Sequence, residues 1–521
     1  MVYDMSKDVQ SEAIRTDSSL AKMLGRADSL RESSIYRSGS ERRSQIGQFL
    51  TPIHIAQMMA EMFTLQTDVV HLLDPGAGAG ILSAATIAAL IKKRNRPKTV
   101  HVTAFENDKT IHPFLQYTFD DCFRVCQQSN IEFHAAIIGE DFIHSACATI
   151  NDKLFSKHQP RFNAVILNPP YKKIASASPT RLALRSIGIE ATNLYSAFVA
   201  LSTLLLQEDG EMVAITPRSF CNGPYFRAFR RFFFDRMALT RLHVFSSRST
   251  AFSNDEVLQE NVILHACRTR HMPASVTIST TNGKSSDKIK RIERPYSEVL
   301  SPSDPDYFVH IVTDKEQVSI REQMARFTHS LEEIGLSVST GRVVDFRALD
   351  FIKKEQAPNV VPLIYPCHFG DGFIVWPRSD VRKPNYIVNT PNSASLLVDS
   401  DLYVLVKRFS AKEEKRRITA CIYDPSRISA RFVGFENHLN YFHEKGRGLP
   451  RDLAKGIATF LNSGLVDSFF RQFNGHTQVN ASDLRKLRYP SRKELIRLGE
   501  RINGNVLAQE DVDQLLGEIK T

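Results

Sequence analysis

The sequence contains no uninterrupted apolar run of about 18 residues, the length that a membrane-spanning helix needs. Its first residues, "MVYDMSKDVQSEAIRTDSS", carry acids and no apolar segment, which does not fit a secretory signal. Its seven cysteines are scattered, except that Cys122 and Cys126 share one helix face, and no second pair completes a metal site. We therefore expect a cytoplasmic protein with no membrane partner and no bound metal.

What is present is an ordinary globular composition with a basic excess. Apolar residues make up 42% of the chain and charged residues 24%, values that are typical of globular domains. The length of 521 residues exceeds what one hydrophobic core supports, so we expect at least two domains. The formal net charge of +10 and the pI of about 9.2 are compatible with a nucleic-acid partner, although many basic proteins bind none.

Local composition divides the chain into four stretches. Residues 1–45 are polar and rich in Ser and Arg, which predicts a partly ordered N-terminal arm. Over residues 46–275, short apolar runs such as "VVHLLDP" alternate with helical stretches such as "ILSAATIAALIKKR", and this alternation predicts an α/β domain with a mostly parallel sheet. Residues 276–330 are rich in Gly, Ser, Pro and charge, as in a linker. Residues 331–521 combine short β-like pieces with helices, which predicts a second domain of mixed α+β structure.

A glycine-rich segment, "HLLDPGAGAGILSAA", follows the first predicted strand and precedes a helix. Small residues there allow a tight turn and let a ligand approach the main chain. The segment lacks both the phosphate-loop pattern and the complete GxGxxG pattern, which disfavours a dinucleotide and favours another nucleotide-like ligand. A plain strand-to-helix turn is the alternative. The candidate binding residues are Asp74, Pro75, Gly76, Ala77, Gly78 and Gly80.

Acidic residues follow the next two predicted strands. Glu106, in "VTAFEND", can accept hydrogen bonds from both hydroxyls of a ribose, although an acid at a strand end is often only solvated. Asp141 and Phe142, in "GEDF", can hold an adenine through its amino group and its face. The alternative for this pair is a helix N-cap followed by a core phenylalanine.

The segment "AVILNPPYKK" ends a buried strand with Asn168, Pro169, Pro170 and Tyr171. Two consecutive prolines lack backbone N–H groups and fix two φ angles, so the strand stops and a rigid lip follows at its carboxyl end. The Asn168 side-chain oxygen and the Pro169 carbonyl can accept both hydrogens of an aromatic amino group and make its nitrogen more nucleophilic. Tyr171 offers a flat face for a base. A proline strand terminator with an incidental asparagine is the alternative.

Together, the loop from Asp74 to Gly80 and the tetrapeptide from Asn168 to Tyr171 resemble those of S-adenosylmethionine-dependent methyltransferases that act on adenine N6 in DNA. The segment "GQFLTPIHIAQMMAEMF" precedes the loop and resembles the part of this family that caps the methionine end of the cofactor. Cofactor motifs first, the catalytic motif next and a recognition domain last is the order of the gamma class. That class includes modification enzymes of type II restriction systems.

The resemblance implies a Rossmann-like methyltransferase domain over residues 46–275 and a target-recognition domain over residues 331–521. It implies S-adenosylmethionine as cofactor, double-stranded DNA as partner, a bacterial or archaeal cytoplasm and, in some systems, a separate restriction endonuclease for the same site. The adenine would leave the helix stack, and its N6 would attack the sulfonium methyl group in line. The roles carried over from the family are cofactor contacts from Thr51, the Asp74 loop, Glu106, Asp141 and Phe142, catalysis by Asn168, Pro169, Pro170 and Tyr171, and base stacking by Tyr171 and Phe252.

Basic and amide side chains in the second region are candidates for DNA contacts. The cluster "KRFSAKEEKRR" lies beside aromatic residues and can neutralise phosphates, whereas amides near "NGHTQVN" suit base edges. A solvated helix face for the first segment, and a turn with a strand for the second, are the alternatives. The candidates are Lys407, Arg408, Lys412, Lys415, Arg416, Arg417, Arg471, Gln478 and Asn480.

Other functions compete with this interpretation. Methyltransferases of RNA or of protein glutamine also use Asn-Pro-Pro-Tyr, but the large basic region after the catalytic motif favours DNA. A catalytically silent DNA-binding scaffold predicts a broken glycine loop or tetrapeptide, whereas both are intact here. Methylation at cytosine C5 needs a cysteine nucleophile, commonly after a proline, and only Cys367 in the second region has that neighbour.

Overall fold

The computed structural model describes residues 5–38, 51–152, 162–245, 261–281, 288–301, 304–311, 315–410, 414, 416–473, 478–502, 512–514 and 516. The chain forms two compact units, Met1–Thr313 and Asp314–Thr521. Their division lies inside the stretch 276–330, where the sequence predicts a linker. In the described part of the chain, no helix is long and apolar enough to cross a membrane.

The first unit is built on one nine-stranded sheet. Its strands are β1 (Val69–Pro75), β2 (Thr99–Phe105), β3 (Glu132–Ile138), β4 (Phe162–Leu167), β5 (Leu206–Pro217), β6 (Ala238–Phe245), β7 (Asn261–Cys267), β8 (Ser275–Thr281) and β9 (Lys290–Pro295). They lie in the order β3-β2-β1-β4-β5-β7-β6-β8-β9. Only β7 and β9 run antiparallel to their neighbours among these strands, so the sheet is mostly parallel.

Helices cover both faces of this sheet. They are α1 (Met5–Ser38), α2 (Ile53–Ala60), α3 (Ile81–Lys92), α4 (His112–Gln128), α5 (Phe142–Asn151), α6 (Pro179–Ser186), α7 (Leu194–Leu205), α8 (Arg227–Phe234) and α9 (Tyr296–Val299). Successive side chains of a strand point to opposite faces. Leu72 of β1 accordingly lies in the core formed with α1 to α4, whereas Leu73 lies in the core formed with α5 to α9. The predicted Rossmann-like α/β class is confirmed.

The register of the central strands brings their carboxyl ends to one edge of the sheet. Pro75 at the end of β1 pairs with Phe105 at the end of β2, and Phe105 pairs with Ile138 at the end of β3. On the other side of β1, the parallel strand β4 ends at Leu167. The chain order reverses between β1 and β4, and open α/β sheets bind ligands at such a point. The residues that follow these four strands therefore meet at one place.

The N-terminal residues are more regular than the predicted arm, because α1 is a single long helix. Its buried apolar side chains recur with the i, i+3, i+4, i+7 spacing of one helix face: Leu20, Met23, Leu24 and Ala27. This helix packs on α3 and α4, and Arg26 pairs with Asp121 of α4 at 3.3 Å. The helix was not predicted because residues 1–45 are polar overall and its apolar stripe is short.

The linker predicted over residues 276–330 is wrong in its first part. Strand β8 pairs in parallel with β6, and β9 pairs with β8 to form the edge of the sheet. Val276 and Ile278 of β8 are buried in the core of the first unit. The sheet of the first unit therefore continues to Pro295.

The second unit has mixed α+β structure, as predicted. Its strands are β10 (Ser337–Thr340), β11 (Ile352–Lys353), β12 (Val360–Ile364), β13 (Tyr386–Val388), β14 (Leu397–Asp399), β15 (Tyr403–Lys407), β16 (Ala420–Tyr423), β17 (Phe432–Phe435) and β18 (Leu439–His443). They form a four-stranded sheet, β10-β18-β15-β16, and a five-stranded sheet, β11-β13-β12-β17-β14. The helices are α10 (Lys315–Met324), α11 (Arg451–Leu461), α12 (Gly464–Phe473), α13 (Ala481–Lys486) and α14 (Arg492–Glu500).

Candidate functional site

The glycine-rich segment forms the predicted tight turn between β1 and α3. Gly76, Gly78 and Gly80 have φ angles of 81°, 56° and 84°, values that glycine adopts without a steric cost. The backbone N–H groups of Gly76 and Ala77 both donate to the carbonyl of Phe105, each at 2.8 Å. These bonds hold the loop against the end of β2.

Asp74 lies beneath this loop and is completely buried. Its Oδ2 accepts a hydrogen bond from the Ser83 hydroxyl at 2.6 Å. Its Oδ1 has no hydrogen-bond partner in the described part of the chain. Burial raises the pKa of the Asp74 carboxyl to about 7. A buried carboxylate oxygen without a partner suits a donor group on a ligand, and a cationic donor best of all.

Glu106 has a structural role that sequence reasoning missed. Its Oε2 accepts the N–H of Gly78 at 2.9 Å, and its Oε1 accepts the N–H of Asp108 at 2.8 Å. Only 4% of the residue is exposed. Burial raises the pKa of the Glu106 carboxyl, while the two N–H donors act in the opposite direction. Glu106 therefore fixes the glycine loop, and each oxygen keeps a second lone pair with which to accept a hydrogen bond from a ligand.

Asp141 and Phe142 have the structural roles that are the alternative to ligand binding, namely a helix N-cap and a core ring. Asp141 is the N-cap of α5, and its Oδ1 accepts the N–H of His144 at 3.0 Å. Phe142 is buried, with its ring centroid 5.1 Å from that of Phe105 and 5.0 Å from that of Phe198. A cap and a core ring do not exclude contact with a ligand, since both residues also border the cavity described below.

The tetrapeptide after β4 is tied to the segment that precedes α2. The amide Nδ2 of Asn168 donates to the hydroxyl of Thr51 at 3.0 Å, and Oδ1 accepts from the Tyr171 hydroxyl at 3.3 Å. Thr51 and Pro169 are buried, whereas Asn168 and Tyr171 are half-buried. The Tyr171 ring lies edge-on to that of Tyr195, and burial raises the pKa of the Tyr171 hydroxyl above its usual range.

A cavity of about 270 Å³ joins these elements at the ends of the central strands. Sequence reasoning had identified six of the residues that border it, namely Gly76, Glu106, Asp141, Phe142, Asn168 and Pro170. It had missed Phe105, Asn107, Asp108, Glu140, Ile143, Thr180, Leu194 and Phe198. Asn107 and Asp108 directly follow Glu106, so the position of Glu106 could have identified them. Phe198 and Leu194 lie on α7, and no sequence signal links that helix to the cavity.

The candidate DNA-contacting residues of the second unit separate into two groups. Arg417 is 1% exposed, its guanidinium donates to the Ser410 carbonyl, and its backbone N–H donates to Asp467 at 2.5 Å. Its burial corrects the prediction that Arg417 contacts phosphates. Asn480 is the N-cap of α13, where its N–H donates to Asp483 Oδ2 at 2.8 Å.

The remaining candidates that the structure describes are half-buried. Arg471 is half-buried and pairs with Asp467 at 2.6 Å. The carbonyl of Arg408 accepts the N–H of Val479 at 2.7 Å, which brings the segment after β15 beside the segment before α13. The half-buried residues are Lys407, Arg408, Arg416 and Gln478. Lys412, Lys415 and Phe252 lie outside the described residues.

The chain is similar to known restriction-modification enzymes. Residues 84–252 match the family model of the Eco57I restriction-modification methylase. The chain is 40% identical over 491 residues to the Type II methyltransferase M.PstI of Providencia stuartii, an alignment that covers 94% of this chain and 96% of that protein. It is 41% identical over 482 residues to the Type II methyltransferase M.BsuBI of Bacillus subtilis, covering 92% and 94% respectively. The solved structure of the Type IIL restriction-modification enzyme MmeI in complex with DNA shares the fold, with a TM-score of 0.52 and 10% identity over 91% of this chain and 68% of that one.

Proposed function

Because the chain belongs to the type II restriction-modification methyltransferases, which are site-specific DNA methyltransferases, we propose that its target is the N6 amino group of adenine in double-stranded DNA. The methyl donor is S-adenosylmethionine. The observation that carries the proposal is the position of Asn168, which borders the same cavity as Glu106 and Asp141. An acceptor pair for an aromatic amino group thus adjoins groups suited to a nucleoside.

The residues around the cavity suit this donor. S-adenosylmethionine carries a sulfonium and an ammonium group, and the acidic residues Glu106, Asp108, Glu140 and Asp141 border the cavity. Asp74 does not border the cavity, but its buried Oδ1 has no hydrogen-bond partner in the described residues and can accept from an ammonium group. We assign Asp74, Gly76, Glu106, Asp141 and Phe142 to holding the cofactor. Once bound, S-adenosylmethionine supplies an electrophilic methyl group on its sulfur.

In the proposed reaction, Asn168 and Pro169 act on the target amino group. The lone pair of an amino group on an aromatic ring is delocalised, so the nitrogen is a poor nucleophile. The Asn168 Oδ1 and the Pro169 carbonyl accept hydrogen bonds from its two N–H groups. These bonds favour a tetrahedral nitrogen with an available lone pair. The two prolines keep these acceptors in place, so little reorganisation is needed at the moment of reaction. Tyr171 supplies the flat face against which the base is held.

The target base reaches this site by leaving the duplex, which costs a few kcal/mol of stacking and pairing. We assign a second stacking contact to Phe252, by its position in the sequence. We assign recognition of the DNA sequence to the second unit, where Lys407, Arg408, Arg416 and Gln478 are the half-buried candidates and Lys412 and Lys415 follow from the sequence.

The test is single-molecule sequencing of DNA from an adenine-unmethylated host that expresses the full chain. We expect N6-methyladenine at one short motif. The Asn168→Ala variant, produced at the same level, is expected to leave that motif unmodified while it still binds S-adenosylmethionine in calorimetry. N4-methylcytosine at the motif would overturn the adenine assignment. An unmodified genome, with soluble protein that binds the cofactor, would favour RNA or protein as the substrate.

A further inference from the structure

A short loop after β5 adjoins the catalytic tetrapeptide. β5 pairs in parallel with β4, and the chain leaves β5 through the 3₁₀ turns Arg218–Cys221 and Pro224–Phe226. Tyr195 connects the two regions, because its ring centroid lies 6.0 Å from that of Tyr171 and 5.4 Å from that of Phe226. The loop 218–226 thus lies two ring contacts away from the residue assigned to the target base.

One residue of this loop is unusual in its exposure. Tyr225 is 81% exposed, the highest value among the large apolar side chains of the described residues. The next residue, Phe226, is only 8% exposed. A single exposed apolar side chain is ordinary on a protein surface, so the exposure of Tyr225 matters only because its loop adjoins the catalytic tetrapeptide.

The loop that carries Tyr225 is held by a completely buried cation. Arg230 donates through Nη1 to the carbonyls of Phe220 and Gly223, at 3.0 and 2.8 Å, and through Nε to the carbonyl of Asp306 at 2.7 Å. Its guanidinium also lies over the Phe308 ring, 4.8 Å from the centroid. Burying a cation is costly unless its donors are used, so these three bonds restrain the backbone of the loop, while Nη2 has no hydrogen-bond partner in the described residues.

Local geometry restrains the same turn further. The N–H of Gly223 donates to the Ser219 carbonyl at 2.9 Å, and a Cβ atom at Gly223 would lie 2.6 Å from that oxygen. Pro224 fixes one φ angle directly before Tyr225. A rigid backbone therefore presents an aromatic ring to solvent. Because the loop is already ordered in the folded protein, DNA binding loses little additional backbone entropy there.

The charge near this edge suits a nucleic-acid strand. Lys172 and Lys173 directly follow Tyr171 and are exposed. Lysines at such positions attract phosphates without reading the sequence, while an aromatic ring stacks on any base.

We propose that Tyr225 stacks on a base at the target site and occupies part of the space that the target adenine leaves. The inference rests on the proposed function, in which the adenine leaves the duplex. Apolar and aromatic side chains commonly insert between unstacked base steps. Here the ring compensates for part of the stacking that is lost when the base pair opens.

The experiment compares Tyr225→Ala and Tyr225→Phe with the wild-type chain. The substrate is a short, unmethylated duplex that contains the motif identified by sequencing. Wild-type methylation of this duplex is measured first and establishes the proposed function independently of the variants. We expect Tyr225→Ala to lower kcat/KM for DNA by about 10-fold, in the range of base–aromatic stacking, and to leave the Kd for S-adenosylmethionine unchanged. Tyr225→Phe keeps the ring and should stay within about 2-fold of wild type. Tyr117→Ala removes another exposed tyrosine, on α4, and serves as the matched control.

A second duplex carries a mismatch at the target adenine, where opening costs less. On it, the defect of Tyr225→Ala should shrink to about 2-fold or less. Wild-type activity of Tyr225→Ala on the paired duplex would overturn the inference and leave the proposed function standing. A Tyr225→Phe variant as defective as Tyr225→Ala would show that the hydroxyl acts instead of the ring. An equally large fall in kcat/KM for Tyr225→Ala on the mismatched duplex would show that Tyr225 does not assist the opening of the base pair.

Discussion

The amide Nδ2 of Asn168 donates a hydrogen bond of 3.0 Å to the hydroxyl of Thr51. Thr51 lies two residues before α2, whereas Asn168 follows the last residue of β4. Thr51 is 3% exposed, so the packing around it restricts the orientation of its hydroxyl. With the amide nitrogen engaged on this side, Oδ1 faces Tyr171 and accepts from its hydroxyl at 3.3 Å, and an amide oxygen can accept two hydrogen bonds. We therefore infer that Thr51 positions the amide of Asn168, in addition to the cofactor contact that the family resemblance implies.

Replacing Thr51 by valine removes the hydroxyl and keeps a branched side chain. We expect kcat to fall by about 10- to 100-fold. Without the Thr51 hydroxyl the Asn168 amide can rotate, so Oδ1 has the productive orientation in a smaller fraction of the enzyme–substrate complexes. The Kd for S-adenosylmethionine should stay within about 3-fold, and Thr51→Ser should restore most of the activity. Steady-state kinetics and calorimetry measure the two quantities. A raised Kd with an unchanged kcat would assign Thr51 to the cofactor alone.

A change from Glu106 to glutamine tests the carboxylate that holds the glycine loop. Its two oxygens accept the N–H groups of Gly78 and Asp108, and an amide can accept only one of these bonds. We expect the Kd for S-adenosylmethionine to rise by about 10-fold or more, since hydrogen bonds to a charged group are worth about 1.5–3 kcal/mol. Calorimetry measures the change. Glu132→Gln, at the exposed start of β3, is the control, and equal affinities of both variants would exclude Glu106 from the site.

Much of the first unit could be predicted from local sequence. Strand β1 and helix α4 have the bounds of the segments "VVHLLDP" and "HPFLQYTFDDCFRVCQQ", because glycine, proline or a polar turn flanks each periodic stretch. Strands β8 and β9 could not be predicted in the same way. β9 is an edge strand whose side chains are largely exposed, so its charged sequence has the composition of a loop.

The site shows the same limit. Gly76, Glu106, Asp141 and Asn168 meet because parallel strands align their carboxyl ends, which the alternation of strands and helices already predicts. The bond from Asn168 to Thr51 depends on packing between distant segments, and no local pattern encodes it. A run of basic residues, likewise, does not show which side chains point inward. Arg417 is buried while its neighbour Arg416 is half-buried.

The buried carboxyl of Asp74 should make stability depend on pH. Its pKa is about 7 in the folded chain and near the ordinary aspartate value of 3.8 in the unfolded one. The folded state keeps this proton over a range in which the unfolded state has lost it, so the group's unfavourable contribution grows from about pH 4 to pH 7 and is then constant. Asp74→Asn avoids the buried charge.

We therefore expect the Tm of Asp74→Asn to exceed that of wild type by about 3 °C or more at pH 8.5, with a smaller difference at pH 5.5. Thermal unfolding without S-adenosylmethionine measures the difference at each pH. Asp120→Asn, at an exposed position of α4, is the matched control and should show no such trend. A difference that is constant with pH would mean that Asp74 is not protonated in the folded protein near neutrality.

The contrast between Lys407 and Arg417 tests which basic residues of the second unit contact DNA. Lys407 is half-buried at the end of β15, with its Nζ 5.3 Å from the centre of the Phe369 ring, and we predict that its ammonium group contacts a phosphate. Lys407→Ala should reduce the slope of log K against log salt by about 1 and leave the Tm unchanged. Arg417→Met should instead lower the Tm, because the Ser410 carbonyl loses its buried donor. Salt titrations of DNA binding and thermal unfolding give both quantities. An unchanged slope for Lys407→Ala would remove this lysine from the interface, whereas a reduced slope for Arg417→Met with a wild-type Tm would mean that the buried arginine becomes exposed when DNA binds.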